Sequence, residues 1–282
     1  MTSRREPSPA FVDDVTPSRP PAQVEGDRLR VTLVNHSTVL LQVDGINILT
    51  DPVWSERVSP ISWAGPRRHR APGVRWEDLP RIDLVLLSHN HYDHLDAATL
   101  RRLSARGSAE FVVPLGLAPL VRSLGATAPR QMDWGDHQRF RGITIHGVPA
   151  YHFSGRSPFD RDRTLWCGYL LETAAGSIYF AADTGFGDLF EQIRARFGAP
   201  RLALLPIGAY EPRWFMAPVH MGPDEALRAH RILGAQTSVA IHHGTFQLAD
   251  ESIDTAPRVL RQSGADESFV VLNNGEFITL TR

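Results

Sequence analysis

The stretch that most constrains this chain is Ser88-His89-Asn90-His91-Tyr92-Asp93-His94-Leu95-Asp96. It places His89, His91, Asp93 and His94, all metal-ligand types, within one short segment. The run before it, Ile82-Asp83-Leu84-Val85-Leu86-Leu87, has the length and composition of a strand. After it, Asp96 suits a helix N-cap, Ala97, Leu100 and Leu103 recur at helical spacing, and Gly107 suits a stop. The cluster is therefore expected on a strand-to-helix loop, where a rigid scaffold holds its chemistry. His89 and His91 alternate, so in extended backbone both rings point the same way and grip one cation. Asp93 and His94 are adjacent at the turn and diverge toward a second position. Imidazole and carboxylate without thiolate suit zinc, with iron and manganese as alternatives.

Further ligand types follow other predicted strands. His152 comes after a strand at 143–148, Asp183 ends a strand at 177–182, and one histidine of His242-His243 closes a strand at 238–241. Five imidazoles and two carboxylates exceed the needs of one tetrahedral ion. They suit two cations ~3.5–4 Å apart with a bridging carboxylate, an arrangement that supplies hydroxide near neutral pH. Hydrolysis of an ester, lactone, amide or phosphodiester follows from that chemistry. There is no P-loop and no G-x-S-x-G elbow to support phosphate-loop or serine chemistry.

Composition narrows the class. The 282 residues, 42% apolar and 22% charged, describe an ordinary globular protein with ample core. A net charge of −1 argues against a broad nucleic-acid footprint. The lone Cys167 excludes an intrachain disulfide and reads as a buried thiol in a reducing compartment. No run of 18 or more apolar residues predicts a membrane span. Arg4 and Arg5 lack the apolar core of a secretory signal, so a cytoplasmic location is expected.

Residues 1–27, rich in Pro, Ser, Arg and Asp, read as a flexible arm, and 28–282 as the folded domain. Short strands are expected at 31–34, 38–43 and 46–49, with Asp44-Gly45 as a hairpin turn. His36 reads as a hydrogen-bonding residue in a turn, His137 as lying in a polar turn, and His146 as a packing residue. The segment 53–76 carries Trp54, Trp63 and Trp76 with Arg57, Arg67, Arg68, Arg70 and Arg75. Either it holds a phosphate-bearing or amphipathic substrate, or its tryptophans pin it back on the domain. A helix is expected at 115–124 and others near 188–197, 223–233 and 255–262.

SHNHYDHLD resembles the H-x-H-x-D-H signature of the metallo-β-lactamase superfamily, and His152, Asp183 and His242 stand in that superfamily's order. DPVWSERVSPISWAGPRRHR, PAYHFSGR, FAADTGF, GAYEPRWFM, HMGPDEA and AIHHGTF are similar to blocks of the N-acyl-phosphatidylethanolamine-hydrolysing phospholipase D group. The resemblance implies an α/β fold, a four-layer αβ/βα sandwich. It implies that His89, His91 and His152 hold one metal, Asp93, His94 and His242 a second, and Asp183 bridges them. Asp93 and His220 are the catalytic candidates it implies. Tyr210, Arg213 and His243 are the substrate candidates; His243 stands where the group usually has tryptophan.

The expected function is that of a phosphodiesterase with two divalent ions, zinc first, acting on a small-molecule or lipid phosphodiester by metal-bound hydroxide. A lactone or other carboxylic ester is the alternative substrate, and a non-catalytic metal protein the alternative class. A peripheral membrane contact stays open, although the N-terminal segment has no amphipathic stretch to make it.

Overall fold

A computed structural model of the protein describes residues 5–265 and 267–281. Two seven-stranded sheets are stacked through a shared core. The first has the order β14-β1-β2-β3-β4-β5-β6, built from Phe277–Leu280, Leu29–Asn35, Thr38–Val43, Ile46–Thr50, Leu84–Leu86, Glu110–Pro114 and Arg130–Met132. The second has the order β13-β12-β11-β10-β9-β8-β7, from Phe269–Val270, Thr237–Ile241, Leu202–Pro206, Gly176–Phe180, Gly168–Thr173, Ile143–Val148 and His137–Phe140. In each sheet one half is antiparallel and the other parallel.

Alternation along the strands explains the layering. Leu84 and Leu86 enter the core between the sheets, whereas Val85 and Leu87 pack under α1 (Ala97–Arg106) and α2 (Ala118–Ser123). In the second sheet Ile178 and Phe180 face the central core. Tyr179 and Ala181 face the cluster built with α3 (Leu189–Phe197), α5 (Pro223–Leu233) and α6 (Thr255–Gln262). Strands covered on both faces must be apolar at every position, which is why β4 and β11 read as unbroken hydrophobic runs. Four layers result, as the sandwich expectation required.

Local signals behave as their chemistry dictates. Asp44 (φ 51°) and Gly45 (φ 71°) form the left-handed pair that a tight hairpin needs. Asp96 caps α1, its carboxylate accepting from Ala98 N at 3.1 Å, and Gly107 closes the helix at φ 69°. The helix expected at 115–124 is shorter. Gly116 sits at φ 85°, outside the helical region, so the helix begins only at Ala118. His137, expected in a polar turn, lies on β7, opposite His146 of β8. The four-residue α4 (Arg213–Met216) has no counterpart among the expected elements.

The N-terminal segment, expected as an arm, is hydrogen-bonded along the domain: Val12 N to His69 O and Ser18 N to Gly73 O, both 2.7 Å, and Asn47 Nδ2 to Ala22 O, 2.7 Å. Segment 53–76 follows the pinned reading. Buried Arg68 donates to Ser55 O (3.0 Å) and Arg70 O (3.2 Å), and Trp54 Nε1 donates to Val74 O (3.0 Å). Arg70 pairs with Asp14 and Asp254, Arg67 with Glu56, and Arg75 with Asp78. These guanidinium groups answer loop carbonyls and nearby carboxylates, as the second alternative for this segment expects.

Candidate metal centre

Each predicted ligand arrives at one edge of the sandwich on the loop that follows a strand. His89, His91, Asp93 and His94 lie between β4 and α1, His152 after β8, Asp183 after β10 and His242 after β12. Two of the backbones bend sharply there: Ala182, just before Asp183, has φ 54° and His242 itself φ 59°. Non-glycine residues persist in this region only where surrounding contacts fix them, and such positions cluster at functional sites.

The ligand atoms form two groups. His89 Nε2 lies 2.8 Å from His91 Nδ1, and His152 Nε2 3.2 Å from the same atom. On the other side, Asp93 Oδ2 lies 3.2 Å from His94 Nε2 and 3.3 Å from His242 Nε2. Asp183 Oδ2 stands between them, 3.1 and 3.2 Å from His94 and His242 and 3.7 and 3.9 Å from His152 and His89. His220 completes a third grouping with His152 and Asp183, its ring 5.0 Å from His152 and 5.3 Å from His242.

A second ring of contacts orients these donors. Asp51 Oδ2 holds His94 Nδ1 at 2.7 Å and accepts from Ser88 Oγ at 2.5 Å, and Ser88 Oγ in turn meets His89 Nδ1 at 2.8 Å. Val219 O faces His152 Nδ1 at 3.1 Å. In each case the outer nitrogen is engaged and the inner one is left for the cluster, the arrangement metal-ligating imidazoles adopt.

Several inner atoms have no other partner. Among the described residues, His94 Nε2, His242 Nε2 and Asp183 Oδ1 are buried without a hydrogen bond. Converging, unsatisfied imidazole and carboxylate atoms fit divalent cations and fit little else.

The buried carboxylates and imidazoles shift one another strongly. Burial alone raises the Asp183 carboxyl, but His242 and His94 outweigh it and hold it well below the ordinary carboxylate range. Asp93 follows the same pattern, with burial opposed by His94, His242 and His36. Burial, aided by neighbouring imidazoles, pushes His89 and His152 well down. His220 is pushed down to about 4, chiefly by burial. Burial also works to lower His242, yet Asp183 and Asp93 bring it up to about 9.

Of the expected substrate residues, Arg213 reaches the cluster through His220 O, while Tyr210 and His243 have other partners. Tyr210 packs in the core beside α5, with its backbone N on Glu251. Arg213 pairs with Glu225 at 2.7 Å and donates to His220 O at 3.0 Å. His243 lies beside Ala240 O and lines a separate cavity of about 490 Å³ with Arg70, Arg258 and Arg261. Sequence reasoning assigned no role to Asp51 and saw His36 only as a hydrogen-bonding turn residue, yet His36 Nε2 lies 2.9 Å from Asp93 Oδ2. The Asp51-Pro52 dipeptide at a strand end was the available signal for the first.

Comparison with known proteins identifies the family. Residues 46–243 match the β-lactamase superfamily domain. The chain is 38% identical to N-acyl-phosphatidylethanolamine-hydrolyzing phospholipase D 1 of Caenorhabditis elegans, covering 88% of this chain and 75% of that one. It is 28% identical to a UPF0173 metal-dependent hydrolase of Methanopyrus kandleri, covering 88% and 98%. The isothiocyanate hydrolase from Delia radicum gut bacteria shares the fold with a TM-score of 0.70 at 24% identity, covering 90% of this chain and 100% of that chain. The chain belongs to the metallo-β-lactamase superfamily and, within it, resembles the N-acyl-phosphatidylethanolamine-hydrolysing phospholipase D group.

Proposed function

We propose that this protein is a metal-dependent hydrolase with two divalent ions, zinc first, and that it cleaves a phosphodiester of an amphipathic lipid. The observation that carries this reading is the place of Asp183 Oδ2 between two sets of donors. His89, His91 and His152 would hold one ion, Asp93, His94 and His242 the other, with Asp183 shared. When bound, such a pair supplies Lewis acidity at the phosphoryl oxygens and activated water.

The chain's own residues do the rest. Asp51, Ser88 and Val219 O keep the imidazoles turned inward. His220, neutral at physiological pH because of its burial, offers a hydrogen bond to substrate rather than a positive charge.

Two facts support the lipid. The first is the likeness to a protein named for hydrolysing N-acyl-phosphatidylethanolamine. The second is a set of exposed aromatics on the segments that serve the site. Phe159 (84% exposed) follows His152, and Trp214 (78%) and Phe215 (64%) precede His220. Trp63 (78%) adjoins the 55–62 wall of a cavity of about 570 Å³ shared with Tyr92 and Arg156. Aromatics at a water–lipid boundary serve as interfacial anchors. No helix among the described residues is long and apolar enough to cross a membrane.

The test is metal analysis together with turnover of N-acyl-phosphatidylethanolamine, a soluble phosphodiester and a lactone by the same preparation. Two metals per chain and release of phosphatidic acid are expected. Turnover of the lactone alone would move the reading to carboxylic esters.

A further inference from the structure

His36 belongs to neither ligand set, yet it touches the second one in three ways. Its Nε2 lies 2.9 Å from Asp93 Oδ2, the same oxygen that faces His94 and His242. Its ring lies 4.1 Å from the His242 ring, and its carbonyl accepts from His242 N at 2.9 Å. The backbone that allows this is a turn between β1 and β2, with His36 at φ 49° and its N donating to Thr245 Oγ1 at 3.1 Å.

The position of the ring proton follows from its surroundings. His36 Nδ1 is buried and has no hydrogen-bond partner among the described residues. A proton there would be a buried donor with nothing to receive it, while a bare Nε2 would face a carboxylate oxygen across 2.9 Å. With the proton on Nε2 the one unsatisfied atom is an acceptor, and the carboxylate gains a donor. In that tautomer Nε2 has no lone pair for a metal. His36 is close enough to be grouped with Asp93, His94 and His242 as a ligand, but its proton makes it a donor to a ligand instead.

We propose that His36 is a positioning residue: by donating from Nε2 to Asp93 Oδ2, it holds that carboxylate, and with it the second metal position, in place. Asp93 is the only carboxylate among the three residues assigned to that position alone, and His36 contacts its Oδ2 without belonging to either ligand set. The inference rests on the two-metal reading of the site.

The experiment compares wild type with H36A and H36Q, the latter carrying an amide donor at about the reach of Nε2. Metal per chain is measured after dialysis, and loss of each equivalent to a chromophoric chelator is followed in time. Far-ultraviolet circular dichroism of the metal-free proteins reports folding. In wild type two equivalents are expected. In H36A the first equivalent should leave at the wild-type rate and the second roughly 10- to 100-fold faster. H36Q should recover most of that difference, with the cobalt(II)-substituted spectrum of wild type.

Wild-type retention of the second metal in H36A would overturn the proposal, as would H36Q behaving like H36A. A changed cobalt spectrum in H36Q would make His36 a ligand and overturn it equally. If H36A does not fold, H36Q alone decides through its second equivalent and its spectrum. Fewer than two equivalents in wild type would defeat the two-metal reading itself, and the inference with it.

Discussion

Asp51 Oδ2 and His94 Nδ1 are 2.7 Å apart, with both side chains fully buried. Through Ser88 the same carboxylate also reaches His89, so one residue outside the ligand sets steadies a ligand of each proposed ion. Asp51 itself sits at φ 33°, a conformation that its Ser88 and His94 contacts help to hold.

Replacing Asp51 with Asn keeps the volume but removes the charge and one acceptor. Metal affinity should fall on the order of 10- to 100-fold, and both equivalents should be affected. Competition titration against a chelator checks this. Loss confined to one equivalent would contradict the shared role.

Asp183→Asn places a neutral amide between the two donor groups. Metal content is expected to drop below two per chain, and phosphodiester turnover to fall on the order of 100-fold or more. Metal analysis and turnover on one preparation measure both. An unchanged metal content with full activity would rule out a bridging role.

Cys167 is buried and its thiol is pushed up to about 12 by burial. A native thiol of this kind should resist a maleimide or disulfide reagent at pH 8 and react only after unfolding. The linkage runs in one direction. The folded state keeps the proton more tightly than the unfolded chain, so the contribution is fully present below about pH 9. It is lost as pH rises toward 12, with a total on the order of 4 kcal/mol. Denaturant melts of wild type and C167A at pH 8 and pH 11 should therefore converge or cross as pH rises.

The exposed aromatics give a surface prediction. Replacing Trp214 and Phe215 together with Ala should weaken sedimentation with anionic phospholipid vesicles roughly 10-fold or more, since each ring removes apolar area from the contact. Turnover of a soluble phosphodiester should change little. Equal loss on both substrates would place these residues in the metal site's architecture instead.

Metal removal is the simplest measurement. Ligands that bind only the folded chain stabilise it by mass action. Exhaustive chelation should lower the melting temperature, and restoring zinc should recover it. An unchanged melting temperature would mean that the cluster binds no metal under those conditions.

Much of this molecule was legible in its sequence because the informative signals are local. Alternation fixes which faces of β4 and β10 are apolar, Asp96 and Gly107 bound α1, and the H-x-H-x-D-H spacing supplies two candidate donors to each group from six residues. His152, Asp183 and His242 were readable as strand-end ligand types. Local patterns along the chain specify the candidate donors and the layered fold that gathers them. The tertiary structure decided how they are held. Asp51 lies 43 residues from His94, and His36 57 residues from Asp93, so no local pattern joins either pair. It also turned Arg68 and Arg70 inward, because buried loop carbonyls and nearby carboxylates need partners. Spacing along a chain shows which atoms are able to meet. Only packing, which fixes rotamers and removes water, shows which of them do.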